Sequence, residues 1–500
     1  KFAHNDKLRR SCSKSTGEGC YGADRQSDTM LNAGRLGAKI NKRAVLNNRI
    51  GIDNGFYDKG KIYLHTPEGG DINIAAVIAK LGSNKAPNDN PSPIIIRNIH
   101  ISDSRFMFRT DGKTPPEQGM NFADMMFNGL NINTAKLTIK GGELTFDGLS
   151  MSFVDHCGFT VKQLSTGTLQ IGDGLIAMDN TRIITADSEL HMPHLRLNGD
   201  NWTAFSDFVN NVRLEVILKK STVSTGTLFY FIPSLFHGHP FTMENVNVDF
   251  AGPVNDFTTT LQFMSGNDTN VEIQAGITDI TDFANSEFKV NVKKFLSSGQ
   301  TLERMANAVL KDSLPKTARD ILTHVDSLSL SANVDGSMEN MMATVFLATN
   351  AGNIAVRGTC GLPQDNVTEF NGSMTINGLD GWPTCNEKLG KFIANARAEG
   401  RIDNGVMDID SHLFVPLMDF NGQHYTQISA SGTYANNKAN INIISGDPKL
   451  AFSAKGSVDM NSKIPSYILY ANMRRTHLYS LRHTNNHTAP FSRHHTPSHH

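Results

Sequence analysis

The sequence predicts a mostly all-β fold, in which an antiparallel sheet lengthens by adding hairpins. Apolar and polar residues alternate in short runs from about residue 94 to about residue 460, for example at 136–140, 143–147 and 288–293. Successive side chains of a strand point to opposite faces, so each run predicts a strand with one apolar and one polar face. Asn-Gly and Asp-Gly pairs separate the runs at roughly the 8–12-residue spacing of meandering all-β proteins. Strand and helix patterns do not alternate along the chain, which argues against a parallel sheet between layers of helices.

The composition excludes some classes of function. The chain has 500 residues, of which 39% are hydrophobic and 19% charged, and its net charge is −1 at pH 7. This balance gives no global field that would attract nucleic acid, so no nucleic-acid partner is expected. The five cysteines contain no C-x-x-C pair, which supports neither a zinc site nor a disulfide framework. They are Cys12, Cys20, Cys157, Cys360 and Cys385, and a bridge between the first two stays open.

Three regions follow from changes in pattern along the chain. Residues 1–34 show no period and few apolar positions, so they are predicted to be disordered or foreign to the fold. Residues 35–475 form the repetitive β region. Residues 476–500 are rich in histidine and are predicted to be a disordered tail without a physiological metal. The chain begins with Lys1 rather than Met, which predicts a fragment without its N-terminus, and no apolar run reaches the ~18–20 residues needed to cross a bilayer.

One helical insertion interrupts the β region at residues 299–325. Apolar residues recur there at helical spacing, Thr301 stands at the position of a cap, and Pro315 divides the segment into a helix, a break and a second helix. We expect the stripe of Leu302, Met305 and Val309 to lie against the sheet or its end. The segment would then be a helix packed across the end of the sheet, or a plug or lid.

Catalytic and metal-binding patterns are weak throughout the sequence. None of the phosphate-binding, nucleophile-elbow or zincin motifs occurs. His237 and His239 lack a third ligand at credible spacing. His156 and Cys157 are adjacent in sequence and would face opposite ways on a strand, so the histidine could not easily activate the thiol. We therefore predict no enzyme, no catalytic residue, no cofactor and no metal.

The repeated apolar face requires a cover, and three covers stay open at this point. A second sheet would make a sandwich, closure would make a solenoid, and an open gutter would bind an apolar ligand. Acyl chains suit a gutter because burial stabilises by ~0.8 kcal/mol per CH₂. The candidate residues for such a groove are the apolar members of the alternating runs: Leu137, Ile139, Leu144, Phe146, Leu169, Ile171, Leu214, Val216, Val246, Val248, Val271, Ile273, Val290, Val292, Leu328, Leu330, Ile354, Val356, Ile441 and Ile443.

Several segments resemble the TamB/AsmA-like proteins of bacterial envelopes, in particular the large TamB-like proteins of the Bacteroidales type. These are the Ile-x-Ile-x-x-Ile-x-Ile-x-x-x-x-Phe-x-Phe pattern of 94–108, the segment 152–171, the segment 401–409 and the Tyr-x-x-Ile-x-Ala-x-Gly-x-Tyr pattern of 425–434. The resemblance covers roughly residues 35–480. It implies an elongated, curled antiparallel sheet that forms an open hydrophobic groove, with an N-terminal anchor in the inner membrane and a C-terminal domain that meets outer-membrane machinery.

The resemblance also implies a function. The chain would be a non-enzymatic protein of the periplasm and cell envelope, anchored in the inner membrane, whose groove carries phospholipid between the inner and outer membranes. Its partners would be phospholipid acyl chains and an outer-membrane assembly protein, whose work it would assist. The alternatives are a secreted β-solenoid, either an adhesin or a polysaccharide-acting enzyme, and a structural envelope spacer. A polysaccharide-acting enzyme needs a column of acidic or basic side chains on one exposed face, and the alternating runs predict no such column.

Overall fold

The structure is a computed structural model that describes most of the chain in two units. The described residues are 2–3, 9–11, 14–23, 29–46, 51–70, 72–73, 93–233, 235–236, 240–282, 285–310, 314–364, 366–379, 389–461 and 464–476. Unit 1 is Lys1–Asn350 and unit 2 is Ala351–His500. Strands account for 69% and helices for 9% of the structure, so the prediction of a mostly β fold is confirmed.

Unit 1 consists mainly of strands that follow one another along the sequence. They are β1 (Phe2–Ala3), β2 (Arg9–Ser11), β3 (Lys14–Ala23), β4 (Thr29–Ile40), β5 (Gly51–Asp58), β6 (Lys61–Thr66), β7 (Ile94–Thr110), β8 (Asp124–Lys140), β9 (Glu143–Asp155), β10 (Thr160–Gly172), β11 (Leu175–Ile184), β12 (Glu189–Asn198), β13 (Arg213–Ser224), β14 (Thr242–Gly252), β15 (Asp256–Ser265), β16 (Thr269–Thr278), β17 (Glu287–Ser297), β18 (Leu328–Ser337) and β19 (Met341–Thr349). From β7 to β19 each strand pairs antiparallel with the next, so the sheet is elongated by ~4.8 Å per strand.

The helices of unit 1 are short and lie between strands. They are α1 (Lys42–Leu46), a 3₁₀ helix (Trp202–Asp207), α2 (Phe208–Asn211), α3 (Thr225–Phe229), α4 (Gly299–Val309) and α5 (Lys316–Leu322). The last two form the insertion predicted at 299–325, on either side of Pro315. The helix–break–helix pattern is thus confirmed.

The strands β5 and β6 pair with β7 in parallel, which the sequence does not predict. Ile52 of β5 lies opposite Ile96 of β7, and Tyr63 of β6 lies opposite Met107 of β7. The two short strands lie one after the other along the 17 residues of β7. Lys59, with a φ of 52°, turns the chain between them. The parallel direction requires a crossover, which includes residues outside the described ranges.

Residues with left-handed backbone lie inside six of the strands from β7 to β14, namely β7, β8, β9, β11, β13 and β14. They are Asn98, Asp103, Gly129, Gly148, Asn180, Lys220 and Asn245. Register shifts accompany them between Ile101 and Ser104 and between Leu218 and Ser221. A bulge bends its strand and increases the local twist, so these positions curl the sheet of unit 1.

Buried hydroxyl groups replace the ladder hydrogen bonds that these interruptions remove. Thr134 Oγ1 donates to the carbonyl oxygen of Asp147 at 2.9 Å, and Thr166 Oγ1 donates to that of Asp179 at 3.0 Å. Ser221 Oγ accepts from the backbone N–H of His191 at 2.9 Å. Because an unpaired buried backbone group is costly, Thr and Ser at these places stabilise the bends.

Unit 2 is an antiparallel meander of long strands. They are β20 (Gly352–Gln364), β21 (Val367–Leu379), β22 (Leu389–Asp403), β23 (Val406–Phe420), β24 (Gln423–Ala435), β25 (Lys438–Gly446), β26 (Leu450–Asp459) and β27 (Ser466–Thr476). Each pairs with the next along the chain. Tight turns such as Asn404-Gly405 and Asn421-Gly422, with positive φ at every one of these residues, join them.

Residues 1–34 contain more regular structure than the sequence predicts. Strands β3 and β4 pair antiparallel, with Glu18 opposite Arg35. A ladder is made by backbone groups and does not require an alternating pattern, so the sequence gives no sign of this pairing. That residues 1–34 are disordered or foreign to the fold stays a prediction. The boundary at residue 34 stays a prediction. The predicted His-rich tail lies outside the described residues except for Thr476, which ends β27.

Candidate functional site

The register of unit 1 aligns the predicted apolar residues in rows across the sheet. Directly paired residues of neighbouring strands share one face. One row is Ile96, Leu137, Phe146, Leu169, Met178, Leu195 and Val216, and the row beside it is Ile94, Ile139, Leu144, Ile171, Ile176, Leu197 and Leu214. Eight of the predicted residues therefore lie on a single face between β8 and β13. The strands β7, β11 and β12 add further members, which the same alternation could have identified.

The same face continues through the later strands of unit 1. Val248 pairs with Leu261, which pairs with Ile273, which pairs with Val292. Val290 pairs with Val334, Val271 with Phe295, Phe295 with Leu330, and Ser297 with Leu328. Val246 belongs to the same hydrophobic cluster as Val271. Every unit 1 candidate is thus on one side of the sheet.

The unit 2 candidates also share one face of their own sheet. Ile354 pairs with Ile376, and a row runs through Val356, Met374, Ala396, Leu413, Ala430 and Ile443. Ile441 lies two residues from Ile443 on β25, opposite Gly432 and Gly456. Small residues are frequent in this face, and the apolar layer is correspondingly thinner than in unit 1.

The candidates differ in exposure, which separates a closed core from an open face. Val246, Val271 and Leu328 are buried, with 2%, 1% and 7% of their surface exposed. Val356 and Ile441 are 39% and 49% exposed, and the other candidates are half-buried. Within the described residues of each unit all strands belong to one sheet, so no second sheet covers these side chains. Half-burial of a continuous apolar face is typical of an open groove rather than a sandwich core.

Helix α4 covers the apolar face over β14 to β17. Ala308, which is 1% exposed, joins Val246, Phe263 and Val271 in one cluster, and Met305 packs against it. The prediction that Leu302, Met305 and Val309 lie against the sheet is only partly right, because Val309 is 41% exposed. Ser298, not Thr301, caps the helix, and its side chain accepts a hydrogen bond from the Thr301 N–H. The helix thus begins at Gly299, and Met305 and Ala308 face the sheet.

The carboxylate of Asp268 attaches this helix to the turn between β15 and β16. Its Oδ2 atom accepts hydrogen bonds from the hydroxyl of Ser298 and from Thr301 Oγ1, the latter at 2.9 Å. The bond from Ser298 is the main cause of a lowered pKa for Asp268. A Cβ on Gly299 would lie 2.0 Å from the carbonyl oxygen of Leu322, so glycine is required where the helix starts.

Removing the Asp268 carboxylate is expected to loosen α4 while the strands persist. Asp268→Ala leaves the hydroxyls of Ser298 and Thr301 without their acceptor, and hydrogen bonds to a charged group contribute about 1.5–3 kcal/mol. Amide hydrogen exchange should therefore accelerate in residues 299–309 and stay unchanged in β7 to β10. Asp256→Ala, at the exposed other end of β15, is the matched control. Unchanged exchange in α4 would contradict this attachment.

A second hydrophobic cluster lies around the start of β10 in unit 1. Met120, Phe159, Val161 and Leu164 are buried there. Tyr230 and Phe231, just after α3, place their rings 5.2 Å from that of Phe159. The start of β10 is therefore covered by aromatic side chains.

The weak catalytic leads from the sequence gain no support from geometry. Cys157 is half-buried. Burial, together with the hydrogen bond that its thiol donates to the Asp155 carboxylate, raises the pKa of the thiol, which disfavours the reactive thiolate. His237 and His239 lie outside the described residues.

Across the residues that the structure describes, no group of three or more potential metal ligands comes together. Nor does any described helix have the length and apolar character to cross a bilayer. No protein-family model, curated protein or solved structure matches this chain.

Proposed function

We propose that the chain is a non-enzymatic protein of the cell envelope whose apolar sheet face carries phospholipid between the inner and outer membranes. The observation that supports this most is the continuous, half-buried apolar face from β7 to β13. An acyl chain bound along this face would remove its own apolar surface and that of the sheet from water. Each buried CH₂ group would stabilise the complex by ~0.8 kcal/mol. The resemblance to TamB/AsmA-like proteins supports the same function, the periplasmic location, an anchor in the inner membrane and an outer-membrane assembly protein as partner.

The division between open and covered parts of the face suggests where the lipid binds. Helix α4 occupies the face over β14 to β17, and the cluster around Phe159 covers the start of β10. The stretch around Phe146 and Leu169 has neither cover. We therefore place the acyl chains there, with polar head groups at the rim of the sheet.

A pair of adjacent substitutions on β9 tests the proposal. Phe146 lies on the apolar face, and Thr145 lies on the polar face opposite Thr138 and Gln170, and both are half-buried. Phe146→Glu places a carboxylate in the acyl path, whereas Thr145→Glu adds the same charge on the other side. Mass spectrometry of the purified proteins should find phospholipid with the unchanged chain and with Thr145→Glu, and severalfold less with Phe146→Glu.

Two results would count against this function. Absence of phospholipid from the unchanged chain, prepared without detergent, would favour a spacer or an adhesin. Equal loss in both variants would show that added charge, rather than the apolar face, controls lipid content.

A further inference from the structure

Four large apolar side chains are exposed together at one end of the strands in unit 1. Phe231, Ile232 and Leu235 follow helix α3, and Phe122 lies in the loop between β7 and β8. Each of them is between 44% and 54% exposed. The rings of Phe122 and Phe231 lie 6.2 Å apart, so the two loops form one surface. These four residues make up the loop patch.

The loop patch is attached to the core of unit 1 through both loops. Tyr230 and Phe231 place their rings 5.2 Å from that of Phe159, in the cluster at the start of β10. The carbonyl oxygen of Tyr230 accepts a hydrogen bond from the Met120 N–H at 2.7 Å, which joins the two loops. A Cβ on Gly119 would lie 2.9 Å from the same oxygen, so glycine permits this close approach. The exposed side chains are therefore held in place from below.

Charged residues are absent from the sequence segment that carries most of the loop patch. Residues 221–243 contain no Asp, Glu, Lys or Arg. The loop of Phe122 carries Asp111, Lys113 and Glu117, so it adds no excess of positive charge. The loop patch therefore fits an apolar surface, and attraction to anionic groups is not needed to bind it.

The backbone of the loop patch meets a requirement of apolar surroundings. N–H groups of the turn after α3 donate to carbonyl oxygens of the same turn at 2.9–3.4 Å, and these donors belong to Phe231, Ile232, Leu235 and Phe236. Pro233 has no N–H group. Burial of this turn in an apolar phase therefore leaves none of these donors unpaired, and unpaired backbone groups are what such a phase penalises.

We propose that the loop patch inserts into the interfacial layer of a phospholipid bilayer. Uncharged aromatic and aliphatic side chains favour that layer, and binding strengthens with the apolar area that is buried. A protein interface usually combines its apolar contacts with direct hydrogen bonds. The four patch side chains have no hydrogen-bond donor or acceptor, so their chemistry favours lipid.

Bilayer docking would extend the proposed function, because it would hold unit 1 at the membrane that supplies or receives phospholipid. This role rests on the proposed function. The docking itself rests on the loop patch alone, so the two can be tested separately.

Flotation of the full chain with vesicles on a density gradient tests the docking. We expect the chain to float with phosphatidylcholine vesicles, and to float equally well when phosphatidylglycerol is added or the salt concentration is raised. Ile232→Glu and Leu235→Glu should each weaken the partition about tenfold, because a charge replaces an apolar side chain that would be buried in lipid. Ile280→Glu is the matched control and should float with the unchanged chain. Ile280 is also exposed, but it lies after β16, at the opposite end of the strands.

A tryptophan probe distinguishes insertion from adsorption at the surface. In Ile232→Trp, the added fluorescence should shift to the blue on vesicles and be quenched by phospholipids with brominated acyl chains. Ile280→Trp should be quenched no more than the unchanged chain. Both positions are exposed, so all of these variants should melt with the unchanged chain.

Several results would overturn the docking surface. They are no flotation of the unchanged chain, which would leave the loop patch to a protein partner, flotation that high salt abolishes, an equal effect of Ile280→Glu, and equal quenching of the two tryptophan variants. A chain that floats but contains no phospholipid would contradict the proposed function alone. A chain that contains phospholipid but does not float would contradict the docking alone.

Discussion

Val271→Asp is expected to unfold the part of unit 1 beneath helix α4, and Leu169→Asp is expected to leave the fold intact. Val271 is 1% exposed and lies between Phe263 and Phe295 in the closed cluster under the helix. A carboxylate buried there without a partner costs about 4 kcal/mol or more, which is in the exceptional range for one substitution. Leu169 is half-buried on the open part of the same face, where water can reach an introduced charge.

Thermal melting followed by circular dichroism, together with limited proteolysis, distinguishes the two outcomes. Gln274→Asp, on the polar face of the same strand as Val271, is the matched control and should melt with the unchanged chain. Leu169→Asp should keep its melting temperature but lose phospholipid. If it unfolded instead, the face around Leu169 would be a closed core and the lipid proposal would fail. A folded Val271→Asp would show that α4 does not seal its part of the sheet.

Two other positions on this face give a less decisive test. Val248 and Ile273 stand between polar neighbours, which suggests from sequence that charge there would block lipid without affecting the fold. Both pack against the cluster under α4, so substitution would combine a folding effect with a binding effect. Helix α4 makes these two positions part of a covered cluster, and the alternation of apolar and polar residues in the strands does not predict where the helix packs.

Period-two alternation is sufficient to predict the strands and their apolar face. Leu137 and Phe146 come to the same side because backbone geometry fixes the side-chain period, and short turns force consecutive strands to pair. The left-handed residues within strands are harder to predict. Asn180 and Asn245 are types that tolerate this conformation, but Lys220 carries no such signal.

The candidate sites depend on information that is shared between distant strands. Asp268 fixes the start of α4 by accepting hydrogen bonds from Ser298 and Thr301, which follow it in sequence by 30 and 33 residues. In the same way Arg397 on β22 and Lys455 on β26 lie in one row of directly paired residues only through the register of five successive strands. Neither relation has a local pattern in the sequence.

Asp447→Ala is expected to destabilise unit 2 by about 3 kcal/mol, because a single carboxylate binds four donors there. Asp447 is 2% exposed. One of its oxygens accepts from the backbone N–H and the hydroxyl of Thr426, at 2.8 and 3.0 Å. The other accepts from the backbone N–H groups of Lys449 and Leu450, at 2.7 and 3.1 Å. The side chain thus connects β24 with the start of β26.

The stabilisation by Asp447 is expected to disappear in acid. Burial, the largest single influence, raises the pKa of this carboxyl, but the hydrogen bonds together outweigh it and the pKa is lowered. A folded pKa below the unfolded value of about 3.9 means that the contribution is complete above that pH and is lost as the pH falls through the folded value. Hydrogen exchange at Thr426, Lys449 and Leu450 should therefore be slow at neutral pH and accelerate in acid. Asp447→Asn replaces one acceptor oxygen with an N–H₂ group, which faces the N–H donors, so exchange in this variant should be fast at both pH values. Asp408→Asn, at an exposed position, is the control and should match the unchanged chain. If Asp447→Asn exchanged as slowly as the unchanged chain at neutral pH, the charge on Asp447 would have no part in joining the two strands.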